Sequence, residues 1–227
     1  SRGLKVLNLT PPKSLSTIQK NIFQLLKINR LKNARVRVML WQKGAGVHCA
    51  IIVEPLQAPT AGQYSKGFKA MLTNGHRRQT PVPIKSLDYG IFRKSLQQAR
   101  AAGFDEALFL NRKGELVEGS RTNIFLVKDN FLLTPSVKSG CLPGVTRQVV
   151  LAAARRLELR CAAKALNARD LFKADEAFLT NALLGIMPLT RLGQKRIGTG
   201  KPGPVTRRLC LGLQEFPRRL GNSTDVG

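Results

Sequence analysis

Two consecutive hairpin patterns in the middle of the chain place the strongest limit on its fold. The apolar segments "EALFLN" and "LVEGS" flank the turn residues "RKGE", and "NIFLV" and "FLL" then flank "KDN". Short apolar segments separated by a few polar turn residues are typical of antiparallel strands joined by tight turns. The centre of the chain is therefore expected to form a sheet with many antiparallel strands.

Segments with helical periodicity precede and follow these strands in the sequence. Apolar residues recur at helical spacing over residues 14–29 and 86–102, and Gly103 is the expected end of the second helix. Further helices are predicted for "VTRQVVLAAARRL", near residues 167–172 and over 203–217, and further strands for "ARVRVMLW", "CAIIVEP", "FKAML" and both ends of "EAFLTNALLGIMPL". The fold class expected from these patterns is α+β.

A polar, proline-rich segment divides the chain. "NGHRRQTPVP" is the best candidate linker, and the 227 residues are enough for two domains. We expect a reduced small α/β domain over residues 1–80 and a large domain over 84–227.

Composition narrows the cellular setting. Hydrophobic residues make up 43% of the chain, but no run approaches the roughly 18 apolar residues that span a membrane. Four scattered cysteines and two histidines do not form a zinc pattern. We therefore expect a cytoplasmic protein with reduced thiols, no metal site and no membrane partner.

The net charge of the chain is unusually high. Lys and Arg number 38 against 13 Asp and Glu, giving +25, and such a field attracts polyanions. The charges are spread along the whole chain, however, and aromatic residues make up only 6%. Ordinary surface charge is the favoured interpretation, and nucleic-acid binding stays open as a less favoured one.

Lys85 stands out among the lysines because it follows "PVPI" and precedes an apolar helical pattern. A lysine amine becomes a nucleophile when its surroundings lower its pKa, and it forms Schiff bases with aldehyde cofactors. In a chain with so many lysines, a solvated surface side chain is the favoured interpretation of Lys85 taken alone.

Three other stretches carry residues suited to ligand binding. In "SGCLPGVTRQVV", Gly144 opens a helix whose first N–H groups could bind an anion, with Thr146 adding a hydroxyl. Glu118 ends a strand among turn residues, and Thr180, Asn181 and Ala182 interrupt an apolar strand pair. Taken singly, each has a favoured structural alternative: a plain helix start, a solvent-exposed carboxylate and a capped turn.

A glycine-rich stretch, "RIGTGKPGPVT", is similar to a phosphate-binding P-loop but lacks its defining residues. Lys195 occupies the position of the first glycine, and Pro202 occupies the position of the magnesium-binding Ser or Thr. The P-loop interpretation is rejected.

Taken together and in order, "IKSLDY", "LVEGSRTNIFLV", "LPGVTRQVV", "FLTNALLGIMPL" and "IGTGKPGPVTRRL" resemble the fold-type IV family that depends on pyridoxal 5'-phosphate (PLP). This family includes branched-chain and D-amino-acid aminotransferases and 4-amino-4-deoxychorismate lyase. The resemblance covers about residues 30–217 and implies a two-domain fold of the D-amino-acid aminotransferase type. The positions that it assigns to the cofactor are Lys85, Tyr89, Glu118, Leu142, Gly144, Val145, Thr146, Asn181 and Ala182.

The resemblance implies a role for each position. Lys85 matches the lysine that forms the Schiff base and moves the substrate α-proton, Glu118 matches the carboxylate that pairs with the pyridine nitrogen, and Tyr89 matches a tyrosine near the phenolic oxygen.

The remaining positions match the ring face and the phosphate side of the cofactor. Leu142 matches the apolar residue that packs against the ring. Val145 and Thr146 match the helix-start residues whose backbone N–H groups hold the phosphate. Asn181 and Ala182 match the loop that completes the phosphate site and faces the substrate carboxylate.

The Asn-Ala pair favours the lyase, which would release pyruvate and 4-aminobenzoate for folate synthesis. His48 follows the early strand turn without the arginine of the D-amino-acid enzyme. The alternatives are a class IV aminotransferase for branched-chain or D-amino acids and a non-catalytic relative that binds polyanions. The resemblance also implies an amino substrate with a carboxylate, a homodimer, and an N-terminal small domain that is truncated in this chain.

Overall fold

Helices and strands alternate along the computed structural model, which describes residues 2–76 and 84–220. The helices are α1 (Arg2–Val6), α2 (Leu15–Ile28), α3 (Ala61–Lys66), α4 (Gly90–Ala101), α5 (Val145–Arg156), α6 (Ala168–Lys173) and α7 (Pro204–Leu220). The strands are β1 (Ala34–Lys43), β2 (Gly46–Pro55), β3 (Phe68–His76), β4 (Glu106–Leu110), β5 (Leu116–Gly119), β6 (Asn123–Lys128), β7 (Phe131–Pro135), β8 (Cys161–Lys164), β9 (Glu176–Asn181), β10 (Gly185–Leu192) and β11 (Lys195–Arg196). The α+β class expected from the sequence is confirmed.

The chain divides into two compact units, and the division differs from the expected domains 1–80 and 84–227. One unit is Ser1–Ala58 with Ile84–Asp88, and the other is Pro59–Pro83 with Tyr89–Gly227. The boundary lies earlier than residue 80 because β3 pairs in parallel with both β4 and β10 and so belongs to the large sheet. Of the expected linker, residues 74–76 lie in β3, and residues 77–83 lie outside the described part of the chain.

The first unit is built around one long hairpin. Strands β1 and β2 pair in an unbroken antiparallel register from Ala34 opposite Pro55 to Lys43 opposite Gly46. Ser14 is the N-cap of helix α2, and its side chain accepts a hydrogen bond from the Thr17 N–H; the helix buries Ile18. The helix and both strands follow the sequence patterns closely.

The second unit contains a nine-stranded mixed sheet. The strand order is β5-β4-β3-β10-β9-β6-β7-β8, with β11 paired to β10. The hairpins β4–β5 and β6–β7 are those predicted from the alternating central segments. They are not adjacent, however, because β3, β10 and β9 lie between them.

Both faces of the central strands of this sheet are buried. Phe125 and Phe178 lie opposite each other on β6 and β9, stack at 4.9 Å and face a cluster that includes residues of α5 and α7. The neighbouring residues Leu126 and Leu179 belong to a separate cluster with α6, because successive side chains of a strand point to opposite faces. Complete burial of each phenylalanine ring contributes about 1.5–3 kcal/mol. The paired central strands therefore provide a rigid base for the loops at their ends.

The glycine-rich stretch before α7 is shaped by packing. Gly203 lies where a Cβ atom would come within 2.0 Å of the Glu176 side chain, whose carboxylate caps the first turn of α7. Gly198 has φ +52°, and a Cβ atom there would lie 1.9 Å from the backbone oxygen of Asp175. These close approaches account for Gly198 and Gly203 without a phosphate ligand.

Gly198→Ala is expected to destabilise the fold by about 2–5 kcal/mol, since left-handed backbone strain adds to the clash with Asp175. Gly193 is the matched control, because it has φ +56° and a methyl group added there would meet no atom within 4 Å. Gly193→Ala should cost only about 1–2 kcal/mol. Urea unfolding of both variants measures the difference, and equal losses would show that packing at Gly198 has no effect.

The described residues show neither a membrane-spanning helix nor a metal-binding cluster. Within 2–76 and 84–220, no helix combines the length and the apolar character needed to cross a membrane. The same residues contain no group of three or more His, Cys, Asp or Glu side chains suited to a metal ion.

Candidate functional site

Glu118 is a buried carboxylate at the end of a sheet strand. It lies on β5 opposite Phe109 of β4, and only 6% of its surface is exposed. One of its oxygens accepts a hydrogen bond from the backbone N–H of Leu142 at 2.9 Å. This burial excludes the solvent-exposed alternative for Glu118. A buried carboxylate needs compensating donors, and the Leu142 N–H is one of them.

The loop from Leu142 to Gly144 is fixed from two sides. The Asn123 side-chain amide donates to the Leu142 carbonyl at 2.8 Å, while Glu118 binds the N–H of the same residue. Gly144 ends this loop at the N-cap of α5, where a Cβ atom would lie 2.3 Å from Oδ1 of Asn123. Only glycine leaves room for this approach, so the loop and the start of α5 form a closely packed cradle.

The first turn of α5 presents backbone donors. Its first intrahelical hydrogen bond runs from the Gln148 N–H to the Gly144 carbonyl at 3.1 Å. The N–H groups of Val145, Thr146 and Arg147 precede that bond and carry the positive end of the helix dipole. Val145 is 77% exposed, and no acidic side chain stands in this turn. The geometry suits an anion.

Asn181 closes the turn between β9 and β10. Its side-chain oxygen accepts hydrogen bonds from the N–H groups of Leu183 and Leu184, and its amide donates to the Arg121 carbonyl at 3.1 Å. The side chain therefore holds the turn, as the structural alternative anticipated, while Ala182 is exposed.

Thr180 lies next to this turn; the sequence placed it at the break in the apolar strand pair but assigned it no role at the cofactor. It is opposite Asn123 in the β6–β9 ladder, so the two side chains share a face of the sheet. Its hydroxyl is buried and, within the described part of the chain, has no hydrogen-bond partner. Buried hydroxyl groups are usually satisfied, so this one could accept a hydrogen bond from, or donate one to, a group that binds beside it.

Tyr89 connects to the same region through aromatic contacts. It precedes α4, its ring meets Phe92 at 6.5 Å, and Phe92 lies 4.9 Å from Phe109. Phe109 is the ladder partner of Glu118. Tyr89 therefore belongs to the same compact unit as Glu118.

Lys85 lies in a different compact unit from the other candidate residues. It is exposed and belongs to the segment Ile84–Asp88, which groups with the N-terminal unit. The helix predicted over 86–102 begins only at Gly90. The Asp88 N–H donates to the Ser86 hydroxyl at 3.3 Å, and this local bond competes with helix formation.

Glu106 was missed as a candidate, although it is completely buried beside the turn that follows Glu118. Its carboxylate binds the backbone N–H of Ser120 at 3.1 Å and the Thr122 hydroxyl at 3.0 Å. In the sequence it is only the first residue of an apolar strand, so no local pattern marks it.

Comparison with known proteins identifies the family of the chain. The family model for amino-transferase class IV matches residues 1–192. The chain belongs to the class IV aminotransferases. It is 31% identical over 216 residues to a Methanocaldococcus jannaschii protein provisionally named as a branched-chain-amino-acid aminotransferase. The matched stretch covers 88% of this chain and 73% of the relative.

Solved structures of class IV aminotransferases share the fold of this chain. The branched-chain amino acid aminotransferase of Escherichia coli has a TM-score of 0.85 and 25% identity, over 99% of this chain and 78% of its own. A Legionella pneumophila protein provisionally described as a 4-amino-4-deoxychorismate lyase has a TM-score of 0.84 over 94% of this chain and 81% of its own. Its identity is 22%, which supports the fold alone. The fold-type IV architecture expected from the sequence is confirmed.

The cofactor expected from the sequence is also confirmed at the level of the family. Class IV aminotransferases use PLP, and a solved branched-chain enzyme of this fold carries pyridoxamine 5'-phosphate. The described residues fit such a cofactor in three respects: the buried carboxylate of Glu118, the glycine-dependent cradle at Gly144 with the backbone donors of α5, and the unsatisfied hydroxyl of Thr180.

Proposed function

We propose that the chain is a PLP-dependent aminotransferase that moves the amino group of branched-chain amino acids to a 2-oxo acid. The single observation that carries the proposal is the buried Glu118 carboxylate, fixed to the loop that opens the anion-binding end of α5. One rigid loop connects a carboxylate to an anion-binding helix start. These two features match the two polar ends of PLP, its pyridine nitrogen and its phosphate. The names of the relatives favour this substrate class over the lyase that the Asn-Ala pair suggested.

Each residue of the site has a proposed role. Val145 and Thr146 offer backbone N–H groups to the cofactor phosphate, with the Gly144 cradle and the Asn181–Ala182 turn closing that end.

Glu118 pairs with the pyridine nitrogen, Leu142 supplies an apolar contact to the ring, and Tyr89 binds near the phenolic oxygen. Lys85 supplies the amine that holds the cofactor and moves the substrate α-proton. When bound, PLP supplies an electron sink for the carbanion that forms when this proton leaves.

A turnover experiment separates the proposed activity from its rivals. The protein is loaded with PLP and incubated with L-leucine, with and without a 2-oxo acid acceptor. We expect the oxo acid of leucine to accumulate only when the acceptor is present. Pyruvate release from aminodeoxychorismate without an acceptor would instead identify the lyase.

A non-catalytic relative would behave differently again. It would show no cofactor binding and a DNA affinity that falls steeply with salt concentration. The homodimer and the cytoplasmic location also stay proposals, and sedimentation of the loaded protein tests the first of them.

A further inference from the structure

Glu106 is a charged group that the proposed chemistry does not use. It opens strand β4 with none of its surface exposed. Oε1 accepts hydrogen bonds from the backbone N–H groups of Ala107 at 3.0 Å and Ser120 at 3.1 Å, and from the Ser120 hydroxyl. Burying a carboxylate is costly unless donors surround it, so these contacts account for its presence in the core.

The second oxygen of Glu106 binds the rest of the same turn. Oε2 accepts from the Thr122 hydroxyl at 3.0 Å and lies 3.9 Å from Nε of Arg121. All of these partners are donors, which matches the acceptor-only character of a carboxylate. One side chain therefore fixes residues 120, 121 and 122.

The turn backbone is also packed directly against Glu106. At Gly119, a Cβ atom would lie 2.2 Å from the Thr122 hydroxyl and 3.0 Å from Cδ of Glu106. The Gly119 N–H donates to the Thr122 carbonyl at 2.7 Å, closing the turn. The carboxylate and the turn thus form one tightly fitted unit.

This turn joins three parts of the candidate site. It follows Glu118 without a gap, and it leads into Asn123, whose amide binds the Leu142 carbonyl. The carbonyl of Arg121 accepts the hydrogen bond from Asn181. A shift of the turn would therefore move Glu118, the Leu142 loop and the Asn181 turn together.

We propose that Glu106 is a positioning residue for the cofactor site, which holds the 119–122 turn and through it sets the placement of Glu118 and Asn181. The inference rests on the proposed function, because it assigns these residues to PLP. Glu106 itself does not touch the cofactor in this proposal. Supporting groups of this kind commonly change ligand affinity by about 10- to 100-fold, as measured for metal sites.

Glu176 provides a matched control for the effect of losing a buried carboxylate. It is 7% exposed, and it accepts hydrogen bonds from the N–H groups of Val205 and Thr206 and from the Thr206 hydroxyl. It caps α7 and contacts no residue of the candidate site among these partners. Both carboxylates support the fold, but only the loss of Glu106 is expected to weaken cofactor binding.

The test compares Glu106→Gln with Glu176→Gln. A glutamine amide keeps the shape of the carboxylate but turns one acceptor into a donor that faces other donors. Both variants should lower the melting temperature of the PLP-free protein. Only Glu106→Gln should weaken PLP binding, by about 10- to 100-fold in a spectroscopic titration, and shift the pH dependence of the visible absorption of the bound cofactor.

Each outcome decides a different point. If Glu106→Gln binds PLP as wild type does, or if Glu176→Gln weakens binding equally, the positioning role is wrong while the proposed function stands. If wild type itself binds no PLP, the proposed function fails and the positioning role fails with it. Should Glu106→Gln not fold, Thr122→Val removes one donor to the same carboxylate with little change in size. It should then weaken PLP binding several-fold, and unchanged binding would overturn the proposal.

Discussion

Lys85→Ala is expected to abolish covalent attachment of PLP and to lower amino transfer by a factor on the order of 10⁴. The proposed roles of Lys85 need a primary amine, both to hold the cofactor and to move the α-proton, and alanine provides neither. Borohydride reduction followed by mass measurement should find the cofactor mass on wild type and not on the variant. Peptide mapping should place that mass on the peptide containing Lys85.

Two further variants separate chemistry from charge. Lys85→Arg keeps the positive charge without a primary amine, so it should lose covalent attachment as fully as Lys85→Ala. Lys94→Ala removes another exposed lysine, on α4, and should leave attachment unchanged. Attachment that survives in Lys85→Ala, or that maps to another lysine, would mean that Lys85 is an ordinary surface side chain.

The strands and their hairpins were predictable because their signals are local. "EALFLN", "LVEGS", "NIFLV" and "FLL" alternate or run apolar between polar turns, and each forms the expected strand. The order of strands was not predictable, since β3, β10 and β9 separate the two hairpins through contacts between residues far apart in sequence. The start of α4 was misplaced because hydrophobic periodicity does not register the competing hydrogen bond between Ser86 and Asp88.

Part of the candidate site was likewise predictable from the sequence, and part was not. Glu118 and the Leu142–Thr146 stretch were identified from turn chemistry and family resemblance, and the structure joins them through one hydrogen bond. Glu106 was not identified because its importance comes from partners 14–16 residues away in the chain. Thr180 was placed at the break in the strand pair but given no role, because an unsatisfied hydroxyl is a property of packing.

Glu118 carries the second prediction, in which two substitutions should have different consequences. Glu118→Gln keeps a side-chain oxygen for the Leu142 N–H but removes the charge proposed to pair with the pyridine nitrogen. Stability should change little, while amino transfer falls by roughly 10²–10³-fold, the range found when one preorganised electrostatic partner is lost. Steady-state kinetics and thermal melts of the PLP-loaded protein measure the two quantities.

Glu118→Ala should add a structural loss to the catalytic one. It leaves the Leu142 N–H without its acceptor in a part-buried loop, which costs about 1–3 kcal/mol. The loop opens α5, so PLP binding should weaken as well as amino transfer.

Glu115→Gln is the control for Glu118, since it alters a carboxylate of the same hairpin. The hydrogen bond from the Asn111 amide to Glu115 holds the pKa of that carboxyl below its usual value, so Glu115 already has a structural partner. Its replacement should leave amino transfer near the wild-type rate. If Glu118→Gln is as active as Glu115→Gln, Glu118 does not pair with the pyridine nitrogen. Its buried carboxylate then only supports the Leu142 loop.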